Sequence, residues 1–336
     1  MKKNIVIFDK VVDSDNLFLR KLNEHESWVS KSKKTNHLHG GILKNIIRFI
    51  WYFIFPLEFL IQRKKYNKII GWQQFYGLNF AFWSRLFHLK KHNDLTVMTF
   101  IYKKKNSFLG ILYHQYMSYI VSSIYVDRYI CFAKEECKYY SDLFGVNINK
   151  FIYVPLGEPK VEVASKADDG YVFATGRSNR DYNFLVNSLK DTDYTLKIAC
   201  DTFYYRKNDN IVVLNDCHGQ DMYTLMAKCH CVIVPLKDLK MSSGQLVVLQ
   251  AMSLGKPVIC TKSDGIKDYV EDKVTGILID NKKEQLLTAL NCLYADNVVY
   301  KNMSEKAYQS YCENFTKEAM FERITNVIYS KDEKNR

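Results

Sequence analysis

Short apolar runs alternate with helical segments along almost the whole chain, and this alternation leaves few folds open. Asn4–Phe8 (NIVIF), Lys68–Gln73 (KIIGWQ), Asp94–Ile101, Arg128–Ala133 and Phe151–Pro155 read as strands, with a weaker one at Glu26–Ser32. Asp13–Leu22, Phe75–Leu89, Leu109–Val126 and Lys134–Phe144 read as the helices between them, and Lys33–Gly41 as a polar loop. Strands that alternate with helices build a parallel sheet covered on both faces. Leu156–Gly170 (LGEPKVEVASKADDG) breaks the pattern: it is polar, contains Pro and Gly, and has no helical period. A second alternation follows, with strands at Tyr171–Thr175, Thr195–Ala199, Ile211–Leu214 and Cys231–Leu236 and helices at Arg180–Leu189 and Asp221–Lys228. A chain of 336 residues is comfortable for two cores. The expectation is two Rossmann-like parallel-sheet domains, 1–157 and 171–315, joined by a linker at 158–170.

One stretch of the second half stands out, Ser242–Ser263 (SSGQLVVLQAMSLGKPVICTKS). Ser242 followed three residues later by Gln245 is a capping box. The run from Leu246 to Leu254 is apolar except for Gln250 and Ser253, so the helix is buried nearly all round. Ser243 and Gln250 share one face at helical spacing, with Ser253 close by, which leaves a narrow polar stripe. Gly255 is placed to end the helix, and Val258–Thr261 continues as a strand. A short helix at Ile266–Glu271, a strand at Thr275–Ile279 and helices from Lys283 onward complete the chain. A helix N-terminus with Gly244 in its first turn is a candidate phosphate or sugar site, because its N–H groups point outward with partial positive charge. The alternative is a core helix whose Gln finds a neighbouring backbone partner.

Ala251-Met252, Gly255-Lys256-Pro257-Val258 and Asp264-Gly265-Ile266 make this stretch resemble the signature helix of the retaining GT-B glycosyltransferases, glycosyltransferase family 4. The family motif places two glutamates eight positions apart, the first on the donor sugar and the second on the nucleotide ribose. Here Gln250 stands at the second and Ser242 or Ser243 at the first. Three further blocks resemble the family in the same order: DRYICFAKEECKYYSDLFGVNINKFIYVPLGE, YVFATGRSNRDYNFLV and MYTLMAKCHCVIVPL. The resemblance implies an α/β GT-B fold, two Rossmann-like parallel-sheet domains facing a central cleft, with the helix at 316–330 packing back on the first domain. It also implies a donor site made of Gly176, Ser242, Ser243, Gly244, Gln245 and Gln250, with Gln250 on ribose and the Ser243–Gln245 segment on phosphate or sugar.

The family has Gly-Arg and, about five residues on, a Lys, both holding the donor diphosphate. Gly176-Arg177 matches, the Lys position is Tyr182, and Arg180 is the nearest substitute. The resemblance thus assigns catalysis to Arg177 and Arg180. A departing nucleoside diphosphate gathers negative charge in the transition state, and preorganised guanidinium groups stabilise that charge more than the ground state. Transfer on one face of the sugar needs no protein nucleophile, so no hydrolase-like carboxylate pair is expected. Neither a metal nor any cofactor beyond a UDP- or GDP-linked substrate is implied. The His that the family often carries after its fourth strand is absent from Thr99–Tyr102, and His88 and His92 read as solvated.

The charge of +12 is unevenly placed: 1–155 carries 24 Lys and Arg against 11 Asp and Glu, which is +13, and the rest is close to neutral. That asymmetry implies an anionic partner for the first half, and no nucleic-acid module is recognisable among the basic residues. Ile42–Arg63 is the most hydrophobic segment, interrupted at Pro56 and flanked by Lys44, Arg48, Arg63, Lys64, Lys65 and Lys68. It reads either as a helix kinked near Pro56 and packed on a sheet, or as an aromatic face dipping into an anionic membrane interface. No apolar run reaches the length of a membrane span. Trp72, Gln73 and Gln74 end one strand and Lys103, Lys104 and Lys105 follow another, where open α/β sheets bind ligands. They are the acceptor-side candidates, for a glycan or a polyprenyl-diphosphate-linked glycan.

The opening MKK followed by only IVIF does not read as a signal peptide, and nine scattered cysteines fit reduced thiols. The expected location is the cytoplasm, peripheral on the inner face of the cell membrane. Cys229-His230-Cys231 lacks a second ligand pair at zinc spacing. The expected function is glycosyl transfer to a bacterial surface polysaccharide, capsule or lipopolysaccharide. A GT-B sugar-nucleotide epimerase and a non-catalytic GT-B scaffold stay open beside it.

Overall fold

The computed structural model describes residues 2–13, 15–35, 41–165, 167–206 and 209–333. The chain divides into two compact units, residues 1–154 with 321–336, and residues 155–320. Positions 36–40 of the expected polar loop lie outside the described residues.

In the first unit the chain forms β1 (Lys3–Phe8), α1 (Leu17–Asn23), β2 (Trp28–Ser32), α2 (Ile42–Ile61), β3 (Tyr66–Gly71) and α3 (Gln74–Leu86). It continues through β4 (Asp94–Val97), α4 (Phe108–Val121), β5 (Arg128–Cys131), α5 (Lys134–Phe144) and β6 (Phe151–Tyr153). The strands form one parallel sheet in the order β2-β1-β3-β4-β5-β6. Ile5, Ile7, Ile69, Leu95, Val97 and Tyr129 are wholly buried in its core. Each such side chain stabilises the fold by about 1.5–3 kcal/mol on burial. The order reverses between β1 and β3, so the carboxyl ends of these two strands flank the unit's topological switch point. β4 stops at Val97, before the expected Ile101, and Thr99 follows with φ 55, which no strand continues through.

Among the described residues, two cations are buried in this unit, Arg128 and Lys68. Arg128 is 1% exposed and forms a two-pronged pair with Asp94, its Nη2 lying 2.9 Å from Oδ2. Lys68 reaches Glu26 at 2.9 Å and lies over the ring of Tyr329. The last helix, α11 (Lys317–Glu333), joins this unit from Phe321 onward. Phe321 meets Phe18 and Trp72 through its ring, and Tyr329 accepts from Trp28 Nε1 at 2.8 Å.

The second unit holds β7 (Val172–Thr175), α6 (Tyr182–Leu189), β8 (Leu196–Ala199), β9 (Ile211–Leu214), α7 (Gly219–Lys228) and β10 (Cys231–Val234). After them come α8 (Gln245–Ser253), β11 (Val258–Thr261), β12 (Ile277–Ile279), α9 (Lys283–Ala295) and α10 (Asn297–Asn314). Its sheet is also parallel, in the order β12-β11-β10-β7-β8-β9. This is the doubly wound order, and it reverses between β7 and β10.

Three expectations change here. The segment expected to link the domains belongs to the second unit: Val161 is buried in its core and donates to Ser253 Oγ at 3.3 Å. Ile266–Glu271 forms successive turns instead of a short helix, anchored by Ile266 N to Ser263 O and Tyr269 N to Ile266 O. α8 begins at Gln245, so Ser242 is not its cap; the cap position is Gly244 at φ 91.

Candidate functional site

The switch point of the second sheet gathers the loops after β7 and β10. The first is Gly176–Asp181. Gly176 has φ 114, and a Cβ there would sit 2.5 Å from Arg180 Nη2, so a side chain is barred both by conformation and by space. Arg180 is 9% exposed and turns inward: its Nε donates to Thr175 O at 3.0 Å and its Nη1 to Ser178 O at 2.8 Å. Burial pushes its pKa down, but an arginine stays charged. Its charge is thus spent on the carbonyls of the turn, where it sets the path of the loop. Arg177 points the other way, with its side chain 65% exposed and Nη2 2.7 Å from Asp201 Oδ2.

Asn179 ties the two loops together, a role not visible in the sequence motifs. It sits at φ 57, donates to Ser243 Oγ at 3.0 Å and to Asp238 O at 2.8 Å, and accepts from Asp238 N at 2.8 Å. The Asn amide tolerates the left-handed conformation and satisfies three groups at once. Ser243 is therefore engaged by Asn179 and not by the helix it precedes.

At the N-terminus of α8, the first intrahelical bond is Val248 N to Gly244 O, which leaves the N–H groups of the first turn pointing outward. Gly244 needs its left-handed conformation, and a Cβ would meet Val234 Cγ1 at 2.8 Å. Three buried polar atoms lie around this end without a hydrogen-bond partner among the described residues: Ser242 Oγ, Gln245 Nε2 and Ser263 Oγ. Gln245 and Ser263 are only 6% and 4% exposed. Gly265 lets Ser242 and Gln245 converge, since a Cβ there would fall 3.0 Å from both Gln245 Nε2 and Ser242 Oγ. Each unsatisfied buried group costs about 1–3 kcal/mol. A cluster of them beside a helix N-terminus has the chemistry of a site that a polar, anionic ligand completes. Gly265 lies two residues beyond the Ser242–Ser263 stretch, and only the folded loop brings it against Ser242 and Gln245.

The polar stripe of α8 faces the segment at 158–161. Gln250 Nε2 reaches Tyr223 OH at 3.4 Å, and Ser253 Oγ accepts from Val161 N at 3.3 Å. Gln250 is half-buried, so the stripe is partly covered by chain and partly open.

The acceptor-side candidates all lie in the first unit, at the carboxyl ends of β3 and β4. Trp72 packs on Phe8 and Phe18 and donates its backbone N–H to Ile7 O. Gln73 caps α3 through Phe75 N and donates to Tyr52 OH at 3.1 Å, and Gln74 Oε1 accepts from Ile101 N at 3.1 Å. These three side chains therefore hold the switch-point loops together. Lys103, Lys104 and Lys105 are exposed. Cys229 and Cys231 are buried thiols, that of Cys229 pushed up to about 12 by burial, and His230 bonds Asp168 at 2.7 Å.

Two six-stranded parallel sheets, each wound with helices and each with its own switch point, define the GT-B fold. Residues 195–310 match the family described as Glycosyl transferases group 1, a span that contains α8 and its flanking loops. The chain is 24% identical over 204 residues to an uncharacterized glycosyltransferase of Methanocaldococcus jannaschii, covering 56% of this chain and 55% of that one. It is 26% identical over 86 residues to the lipopolysaccharide core biosynthesis glycosyltransferase LpsE of Rhizobium meliloti, covering 25% of each. The chain thus spans about half the length, or less, of the curated relatives it matches. Among solved structures, Anabaena HepE in complex with UDP superposes with a TM-score of 0.72 at 13% identity, covering 98% of this chain and 100% of that one. The lipopolysaccharide outer core galactosyltransferase WaaB superposes with a TM-score of 0.65 at 13% identity, over 98% and 99% of the two chains.

Proposed function

We propose that this protein transfers a sugar from a UDP- or GDP-linked donor to a glycan acceptor in bacterial surface polysaccharide synthesis, with retention of configuration. The observation that carries the reading is the α8 N-terminus, with its outward N–H groups and the unsatisfied Ser242, Gln245 and Ser263 at the switch point of a parallel sheet. Arg177 and the helix N-terminus supply the positive charge that a leaving nucleoside diphosphate needs, and Arg180 and Asn179 hold the loop that presents Arg177. This division lets side chains and dipoles do the electrostatic work, and the mechanism asks for no resident metal. The names of the relatives, a lipopolysaccharide core enzyme and proteins solved with UDP or UDP-glucose, support the donor class and the setting.

The test is binding followed by products. A donor present at 100 times its Kd stabilises the fold by about 2.7 kcal/mol. That is expected to raise the unfolding temperature by roughly 5–10 °C, for UDP-sugars or for GDP-sugars but not both. Release of the free nucleoside diphosphate with a new glycoside supports transfer; an isomerised sugar nucleotide means an epimerase, and no binding means a scaffold.

The first unit supports a membrane-facing acceptor. Ile42, Leu43, Ile46, Ile47, Phe49, Ile50, Ile54 and Ile61 are exposed on α2, while Tyr52, Pro56, Phe59 and Leu60 are its buried residues. At helical spacing the exposed apolar residues occupy one arc of about 160°. Phe108 and Leu109, each 75% exposed, add the start of α4. Among the described residues no helix is long and apolar enough to cross a membrane. An apolar face bordered by cations lies in the membrane interface, where each Lys or Arg adds about 1 kcal/mol on anionic lipid. Replacing Lys103, Lys104 and Lys105 together by Ala is expected to weaken binding to phosphatidylglycerol vesicles by about 100-fold. Co-sedimentation measures it; unchanged binding removes these lysines from the membrane contact.

A further inference from the structure

We propose that Asn281 is a positioning residue for the donor site. It closes a ring of hydrogen bonds with Thr261 and Leu236 that fixes the roots of the two loops carrying Ser242, Gln245 and Ser263; this deepens the nucleotide-sugar reading above and rests on it.

The backbone ladder between β10 and β11 ends at Val234 opposite Cys260. Just beyond it, side chains take over the pairing. Leu236 N–H donates to Thr261 Oγ1 at 2.8 Å, Thr261 Oγ1 donates to Asn281 Oδ1 at 2.6 Å, and Asn281 Nδ2 donates to Leu236 O at 2.8 Å. Each bond sets the direction of the next. A hydroxyl that accepts from Leu236 N–H gives its own proton to the amide oxygen, and the amide N–H then faces the carbonyl. Leu236 is wholly buried, Thr261 is 2% exposed and Asn281 is half-buried. Removing the ring takes these partners from a buried N–H and a buried C=O, which the backbone answers by moving.

The other edge of this segment is held by the loop after β7. Leu236 forms a bridge with Arg180, Asp181 N–H donates to Pro235 O at 2.9 Å, and Lys237 N–H donates to Asn179 O at 3.3 Å. Asn281, Thr261, Leu236 and Asn179 thus follow the sheet order β12-β11-β10-β7 as one tie across the carboxyl ends of these strands. Both donor-site loops start from it. Thr261 closes β11, and Ser263 follows directly in the next loop. The Leu236 side chain stands under the cap of α8, with Cδ2 3.5 Å from where a Cβ on Gly244 would fall. A shift of Leu236 therefore passes straight to the N-terminus of α8. Support of this kind behind the groups that meet a ligand keeps them in place before it arrives. An Asp at 281 has the same shape, but its carboxylate turns an acceptor on the Leu236 carbonyl and breaks the ring at that point.

The test is calorimetry on the full chain with UDP and with GDP, at a temperature where circular dichroism shows each variant folded. Asn281→Asp and Thr261→Val are each expected to bind the preferred nucleotide at least about tenfold more weakly than the wild type. Thr261→Ser keeps the hydroxyl and is expected to stay within about threefold. A purely structural role lowers the unfolding temperature and leaves the Kd of the folded molecules unchanged. Wild-type affinity in folded Asn281→Asp and Thr261→Val therefore overturns the inference and leaves the donor reading intact. Equal weakening in Thr261→Ser and Thr261→Val also overturns it, because the hydroxyl then has no part in binding. Where Asn281→Asp does not fold, the two Thr261 variants decide. A wild type that binds neither nucleotide overturns both the inference and the donor reading.

Discussion

Arg177→Ala is expected to lower turnover by about 10²–10³-fold, the loss typical of removing one preorganised charge-stabilising donor. Arg177 is mostly exposed, and its contact with Asp201 is an ion pair at the protein surface. Such a pair is worth about 0–1 kcal/mol, whereas a hydrogen bond to a charged phosphate contributes about 1.5–3 kcal/mol. A diphosphate therefore displaces Asp201 with little loss, and removing the arginine leaves the fold untouched. The expected signature is a kcat far below wild type with an unchanged unfolding temperature, and a Lys substitution that recovers only part of the rate because it lacks the planar fork. Measuring release of nucleoside diphosphate under saturating donor decides it. A variant within a factor of three of wild type would remove Arg177 from the chemistry.

Arg128→Ala is expected to cost about 3–5 kcal/mol, because it leaves the Asp94 carboxylate without the guanidinium that compensates it. Arg128 is among the largest fully buried side chains, and it also touches Thr96 and the Ile328 carbonyl of α11. Against a total of about 5–15 kcal/mol for a folded domain, that loss is a large fraction. Urea denaturation followed by far-UV circular dichroism is expected to show the first unit melting at a markedly lower midpoint. Replacing both partners by apolar residues, Arg128→Met with Asp94→Leu, is expected to recover most of the stability, since desolvating an ion pair costs about what the pair returns. A single variant that shifts the midpoint by less than about 1 kcal/mol would mean that water reaches the pair and that it is not buried in solution.

The strands were legible because each is a short run of Val, Ile and Phe bounded by turn residues, a pattern set by local chemistry. Asn4–Phe8 and Cys231–Val234 are examples. The helix start at Ser242 was not legible, although Ser and Gln stand at capping-box spacing. A competing partner, Asn179, lies 64 residues away and takes Ser243, and Gly244 adopts the left-handed conformation at the cap instead. The same distance effect decided Arg180. As a residue type it matches a phosphate ligand, but the Gly176 turn aims it inward at carbonyls five and two residues before it. The polar stripe of α8 was visible as a period, yet its covering by Val161 was not, because that segment looked like a linker.

By itself the sequence determined that this protein is α/β with two parallel sheets, and that Ser242–Ser263 holds a buried helix followed by a strand. Periodicity and turn chemistry act over a few residues, so they are written locally. Only the tertiary structure decided which arginine presents its charge, which polar groups are left unsatisfied around Gly265, and that Val161 of the expected linker closes on Ser253. Those are contacts between residues far apart in the chain, and their energies depend on burial and direction, which no local pattern encodes.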